Sequence, residues 1–168
     1  MRWLIVTVVQ LPDGSTGLRM DAQVVWVTPR PASERIPSGT HTLLVSVGGV
    51  IPANNPKQRP LTVSSSKKIN GIVGLLNVLP AAQPGVFSCP VDFGVRVRLA
   101  FYARRGVAPL AIAIVDPDGC GGVSLTIGGQ PQPPLGSKAH PGSSTPSRTS
   151  LVQQIDHLLG VKLKIGPA

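Results

Sequence analysis

Residues 64–127 read SSSKKINGIVGLLNVLPAAQPGVFSCPVDFGVRVRLAFYARRGVAPLAIAIVDPDGCGGVSLTI. Their pattern decides the fold. Ile69, Ile72, Val73, Leu76 and Leu79 recur at helical intervals and make one apolar stripe. Ser64, Ser65 and Ser66 are candidate caps, and Pro80 stops the helix, so a helix is expected over Ser66–Leu79. Lys67 and Lys68 oppose it at the positive end of the helix dipole. Gly71 and Gly74 each cost about 1 kcal/mol relative to Ala. Further on, Val95, Val97, Leu99 and Phe101 alternate with Arg96, Arg98, Ala100 and Tyr102. That period of two predicts a half-buried strand with a cationic outer face. Leu110–Val115 is a second strand, DPDG at 116–119 a turn, and Val123–Ile127 a third strand that completes a meander.

Outward from this stretch, Leu4–Val9 is rich in β-branched residues and ends at a turn built on Asp13-Gly14. Gln23–Thr28 is expected to be its partner in a hairpin. Residues 28–40 carry Pro29, Pro31 and Pro37 and read as loop. Thr42–Val47 is a strand, 48–60 a loop, and Leu61–Val63 a short strand. From 128 to 148 the chain is dense in Pro, Gly and Ser, as linkers are. Thr149 or Ser150 caps a last helix with Leu151, Val152, Ile155, Leu158 and Leu159 on one face, and Gly160 ends it. The expected fold is α+β: an antiparallel sheet of about five or six strands, one helix on a face, and a C-terminal helix after a Pro/Gly/Ser linker. The expected domain spans 1–128, the linker 129–149, and the helix with its tail 150–168.

Of the 168 residues 42% are hydrophobic but only 4% aromatic, so the core must be aliphatic. Sixteen Lys and Arg against seven Asp and Glu leave a net charge of +9. Such an excess keeps a protein soluble and suits anionic partners. Arg96, Arg98, Arg104 and Arg105 are the densest cationic set and the candidate anion-binding face. Single-stranded nucleic acid also needs interleaved stacking aromatics. With Phe101 on the apolar face only Tyr102 is offered, so no specific nucleic acid is expected. The apolar run after Arg2 ends at Gln10 with no cleavage-type site, so no signal peptide is visible and the run is read as a strand. No run approaches the length of a transmembrane helix.

No catalytic or metal motif emerges. Asp92-Phe93-Gly94 copies a kinase triplet without the rest of the kinase signature. Asp116 and Asp118 belong to a turn and lack the further oxygens of a calcium loop. His41, His140 and His157 form no set, and GxSxG and HExxH are absent. The expectation is a non-enzyme without cofactor or metal. Cys89 and Cys120 flank the predicted hairpin and are open to two readings. One is a bridge contributing roughly 3–4 kcal/mol, which favours an oxidising compartment. The other is a pair of buried thiols.

Ser88-Cys89-Pro90, Asp92-Phe93-Gly94, Leu99 with Phe101, and Gly119-Cys120-Gly121-Gly122-Val123 follow the helix ending Leu76, Leu79, Pro80. This pattern, with the earlier PRPASERIPSG at 29–39, resembles an uncharacterised actinobacterial family of exported or lipoprotein-like proteins. The resemblance covers most of the chain and implies an extracytoplasmic domain with a Cys89–Cys120 disulfide. It implies no activity. The chain departs from that family in showing no export signal. A second resemblance is to Streptomyces-type subtilisin inhibitors, on Leu76-Asn77-Val78-Leu79, Cys89-Pro90 and Cys120. It implies a rigid inhibitory loop over Cys89, Pro90, Val91, Asp92 and Phe93, with Val91 the specificity residue for a serine protease. That family's second disulfide has no counterpart here. The readings to weigh are therefore a binding domain of unknown ligand, a protease inhibitor, and a basic domain on an anionic envelope polymer.

Overall fold

A computed structural model describes residues 2–24, 29–49, 58–82, 91–118, 121–136 and 150–165. Its strands, in chain order, are β1 (Arg2–Gln10), β2 (Thr16–Val24), β3 (Thr42–Gly49), β4 (Leu61–Val63), β5 (Val95–Tyr102), β6 (Ala111–Val115), β7 (Gly122–Ile127), β8 (Gln130–Pro131) and β9 (Leu135–Gly136). Helix α1 is Ser66–Asn77 and α2 is Leu151–Leu159. The fold is α+β. Seven strands form one antiparallel sheet in the order β4-β3-β5-β6-β7-β8, with β9 also on β7, and β1 and β2 form a separate two-stranded sheet.

Strand β5 lies inside this sheet because both of its edges find partners. Leu43, Val45 and Val47 of β3 pair with Phe101, Leu99 and Val97. On the other edge those three pair with Ala111, Ala113 and Val115 of β6. All are buried and belong to the same core as Ile69, Ile72 and Leu76 of α1. The heavier side chains of β6, Ile112 and Ile114, lie on the opposite face, and Ile114 is partly exposed. Alanines stand beside Phe101 and Leu99 on the core face, so bulk in β5 is matched by small residues in β6.

The stripe over α1 does what its period predicts: Ile69, Ile72, Leu76 and, just beyond the helix, Leu79 are buried. No serine hydroxyl caps it; Ser65 occupies the cap position without a side-chain bond. Lys68, unfavourable where it stands in α1, donates its Nζ proton to the Leu159 carbonyl at the end of α2. A cation there is on the favourable side of that helix's dipole. Helix α2 carries the stronger start signal, a capping box in which Ser150 and Gln153 bond reciprocally. Gly160 ends it at a φ of 70°. Leu151, Val152, Ile155 and Leu159 are buried in the core shared with α1, so α2 is part of the domain. Gly71 permits this approach: a Cβ there would stand 3.0 Å from Leu158 Cδ2.

Gly74 has no such reason to be glycine. A Cβ at that position meets nothing within 4 Å. Gly74→Ala is expected to stabilise by about 1 kcal/mol through helix propensity and a less flexible unfolded chain. That is roughly 2–4 °C in Tm for a domain of this size. Thermal unfolding followed by circular dichroism checks it; an unchanged or lower Tm refutes it.

Two expectations need correction. The partner of β1 is not Gln23–Thr28 but Thr16–Val24, in register from Gln10↔Thr16 to Arg2↔Val24. Asp13 tightens the turn by accepting from the Ser15 N–H at 2.9 Å and from its hydroxyl at 2.6 Å, so pairing resumes at once. Residues 25–28 lie outside the described residues. The expected linker also fails over its first residues, where the chain pairs with β7. Gly128 and Gly129, at φ 55° and 81°, make a tight hairpin turn that returns the chain along β7. Leu135 then pairs with Val123 and is buried. Pro131 is tolerated because β8 is an edge strand that needs no further N–H donor. The rest of the expected linker, 137–149, lies outside the described residues.

Candidate functional site

Four residues, Val91 to Gly94, lead into β5, and the first three are exposed at its end. Val91 is 71% exposed and Phe93 51% exposed. Between them Asp92 turns back. Its Oδ1 accepts from the Gly94 N–H at 2.7 Å, a local Asx-type turn. Gly94 is buried with φ 74°, a conformation side chains resist.

Arg96 fixes this turn. Its guanidinium grips Asp92 with two parallel bonds, Nη2 to Oδ2 at 2.6 Å and Nη1 to Oδ1 at 3.0 Å. The same Nη1 donates to Asp116 Oδ1 at 3.1 Å and to the Val95 carbonyl at 2.8 Å. Asp116 Oδ1 also accepts from the Asp118 N–H at 3.1 Å. One planar cation therefore ties the loop before β5 to the turn between β6 and β7. Arginine suits this because its donors form a fixed fork.

The two carboxylates shift in opposite directions. Asp92 is lowered to about 2, first by its bond from Arg96 and then by the Gly94 N–H. Asp116 is raised, because desolvation outweighs the Asp118 N–H and the Arg96 charge. Their exposures explain the difference: Asp92 faces water and gains two strong donors, while Asp116 is half-buried. Arg96 is itself raised, chiefly by its bond to Asp92.

The candidate cationic set does not converge. Arg96 is committed to two aspartates. Arg98 is half-buried on the same sheet face, in register with Ser46 and Ile114. Arg104 and Arg105 are exposed beyond the far end of β5, which at about 3.3 Å per residue is some 20 Å or more from Arg96. There Arg105 joins Thr42, Leu44, Thr62, Tyr102, Gly106 and Val107 around an open depression of about 450 Å³. Of the candidate loop, Val91, Asp92 and Phe93 are described; Cys89, Pro90 and Cys120 lie outside the described residues.

Sequence reasoning missed the partner of Asp92. The signal was available: an aspartate four residues before an arginine whose outward face reaches the DPDG turn. Among the described residues no group of three or more His, Cys, Asp or Glu is placed to hold a metal ion. No helix among them is long and apolar enough to cross a membrane. Comparison with known proteins finds no matching family model, no matching curated protein and no matching solved structure.

Proposed function

We propose that this chain is a non-enzymatic, exported or envelope-associated binding domain that offers the Val91–Phe93 loop to a protein partner. One observation carries the reading. Two apolar side chains, Val91 at 71% and Phe93 at 51% exposure, lie on a loop whose central residue is held by three hydrogen bonds from Arg96 and Gly94. Exposed apolar anchors on an ordered loop suit partner binding, because little entropy remains to be lost. The export element rests on the two cysteines and on the family resemblance. Asp92 and Asp116 share one guanidinium nitrogen, and in the sequence Cys89 precedes Asp92 by three positions and Cys120 follows Asp116 by four.

The sharper form of this reading is inhibition of a subtilisin-type serine protease, with Val91 entering the specificity pocket. The exposure of Val91 favours it, the highest among the exposed large hydrophobic residues. Titration of subtilisin with the purified protein is expected to give stoichiometric loss of activity. Val91→Gly is expected to weaken it at least thirtyfold, since an anchor in a filled pocket contributes about 2 kcal/mol or more. Undiminished proteolysis at micromolar protein rejects the inhibitor form. Two free thiols in protein from its native host reject the exported form.

A further inference from the structure

The face of the large sheet that looks away from the core carries an open depression at the Tyr102 end of β5. Antiparallel register builds its floor. Thr42 stands opposite Tyr102 and Leu44 opposite Thr62, so β4, β3 and β5 turn these four side chains to one side. Their neighbours Leu43, Val63 and Phe101 are buried on the other. The connection from β5 to β6 supplies the rim. The Leu110 N–H closes it by donating to the Phe101 carbonyl at 2.7 Å, and Gly106 turns the chain at a φ of 80°. Arg105 and Val107 thereby border the floor. The space is about 450 Å³, within the range of small-ligand sites. Its lining is mixed. Leu44, Val107 and the Tyr102 ring are apolar, while Thr42, Thr62 and Tyr102 each bring a hydroxyl and Arg105 a guanidinium. Among the described residues none of these four polar groups has a hydrogen-bond or ion-pair partner. No carboxylate lines the depression, so the charge of Arg105, beside exposed Arg104, is uncompensated there.

We propose that this depression binds an acidic sugar, the carboxylate-bearing ring of a polysaccharide. The guanidinium of Arg105 presents a fork that matches a carboxylate. Each of the three hydroxyls both donates and accepts, as the hydroxyls of a sugar require. Tyr102 joins an apolar ring to a polar tip, so its face meets the C–H groups of the sugar while its hydroxyl bonds at the edge. Other anions fit less well. A hydrocarbon carboxylate would cover three hydroxyls without bonding them, and burying unbonded polar groups is unfavourable. Inorganic phosphate would use Arg105 and leave the apolar floor bare. A nucleic-acid strand calls for successive stacking rings, and one ring lines the depression. The site is open at its sides, so a polymer chain can continue past it, and a single sugar is held weakly, at a Kd of about 1 mM.

Titration of the full chain with sodium glucuronate, followed through amide chemical shifts, tests this. Saturable shifts are expected at Thr42, Thr62, Tyr102 and Gly106, with the Val91–Phe93 amides unmoved. Glucose, which lacks the charge, and benzoate, which lacks the hydroxyls, are each expected to bind at least tenfold more weakly. Arg105→Gln is expected to weaken glucuronate binding at least tenfold, and Arg104→Gln to leave it unchanged. Unmoved Val97 and Leu99 amides report in each variant that the sheet is intact. Silence at the four amides overturns the proposal. So does glucose or benzoate binding as tightly as glucuronate, inorganic phosphate producing the same shifts with equal affinity, or full binding by Arg105→Gln.

Discussion

Arg30→Met is expected to lower stability by about 3 kcal/mol, which is roughly 10 °C in Tm for a domain of this size. Arg30 is 6% exposed. Its Nη2 donates to the Leu76 carbonyl at 2.9 Å, in the last turn of α1, and its Nη1 to the Glu34 carbonyl at 2.6 Å. Its own carbonyl accepts from Arg35. The side chain thus fastens the proline-rich loop of 29–40 to the end of the helix. The competing effect is desolvation, which pushes the Arg30 pKa down, and its Nε is buried with no partner among the described residues. Methionine removes that cost and fills similar space. It also leaves two carbonyls unpaired, each costing about 1–3 kcal/mol, and removes a cation from the negative end of the α1 dipole. The lost bonds win. Arg30→Lys keeps the charge but not the fork, so it is expected to recover only part of the loss. Asn77 provides a second fastening, accepting from the Ile36 N–H at 2.8 Å and donating to its carbonyl at 3.1 Å. The double variant Arg30→Met/Asn77→Ala should therefore lose more than the sum of Arg30→Met and Asn77→Ala alone, because either fastening holds the loop in the other's absence. Chemical denaturation of the four proteins measures it. A loss under 1 kcal/mol for Arg30→Met contradicts the account.

Arg30 also marks the limit of what the sequence discloses. Residues 28–40 were legible as loop from their prolines, but nothing local says that an arginine within them is buried beneath a helix end. The elements of strong period were legible: the stripe over α1, the alternation of β5, and the Ser150–Gly160 frame of α2. Elements resting on weaker alternation were not. Leu18, Met20 and Ala22 alternate with Arg19 and Asp21 in β2, yet the β-branched run at 24–28 outweighs them in propensity. Strands β8 and β9 sit among prolines and glycines, and only the turn at Gly128-Gly129 betrays them. At the candidate site the exposed Val91 follows from its loop. The local pair of Arg96 with Asp92 was legible four residues apart, but its reach to Asp116 needed the register of β5 against β6, which no single segment contains.

That grip yields the second large effect. Arg96→Met is expected to weaken binding through the Val91–Phe93 loop by roughly tenfold to thirtyfold, with a smaller drop in Tm. The pair with exposed Asp92 contributes little to global stability, so its loss falls on the loop, while half-buried Asp116 loses its cation and accounts for the drop in Tm. Without Arg96, Asp92 keeps only the Gly94 N–H, and the partner must order Val91, Asp92 and Phe93 as it binds. The pH dependence has a definite sign. Asp92 titrates at about 2 in the folded protein against about 3.9 in an unfolded chain. Its contribution is therefore fully present above about pH 4 and is lost as pH falls through about 2. Nuclear magnetic resonance of the carboxyl carbon is expected to show that midpoint in the native protein. In Arg96→Met it should return toward the ordinary value, while Asp116, already raised by burial, should rise further. Exchange of the Gly94 amide reports loop order without any partner, so the restraint is testable even if subtilisin is not the target. An Asp92 midpoint near 4 in the native protein would mean that the loop is not held. Full loop order in Arg96→Met would mean that Gly94 and its neighbours suffice to hold it.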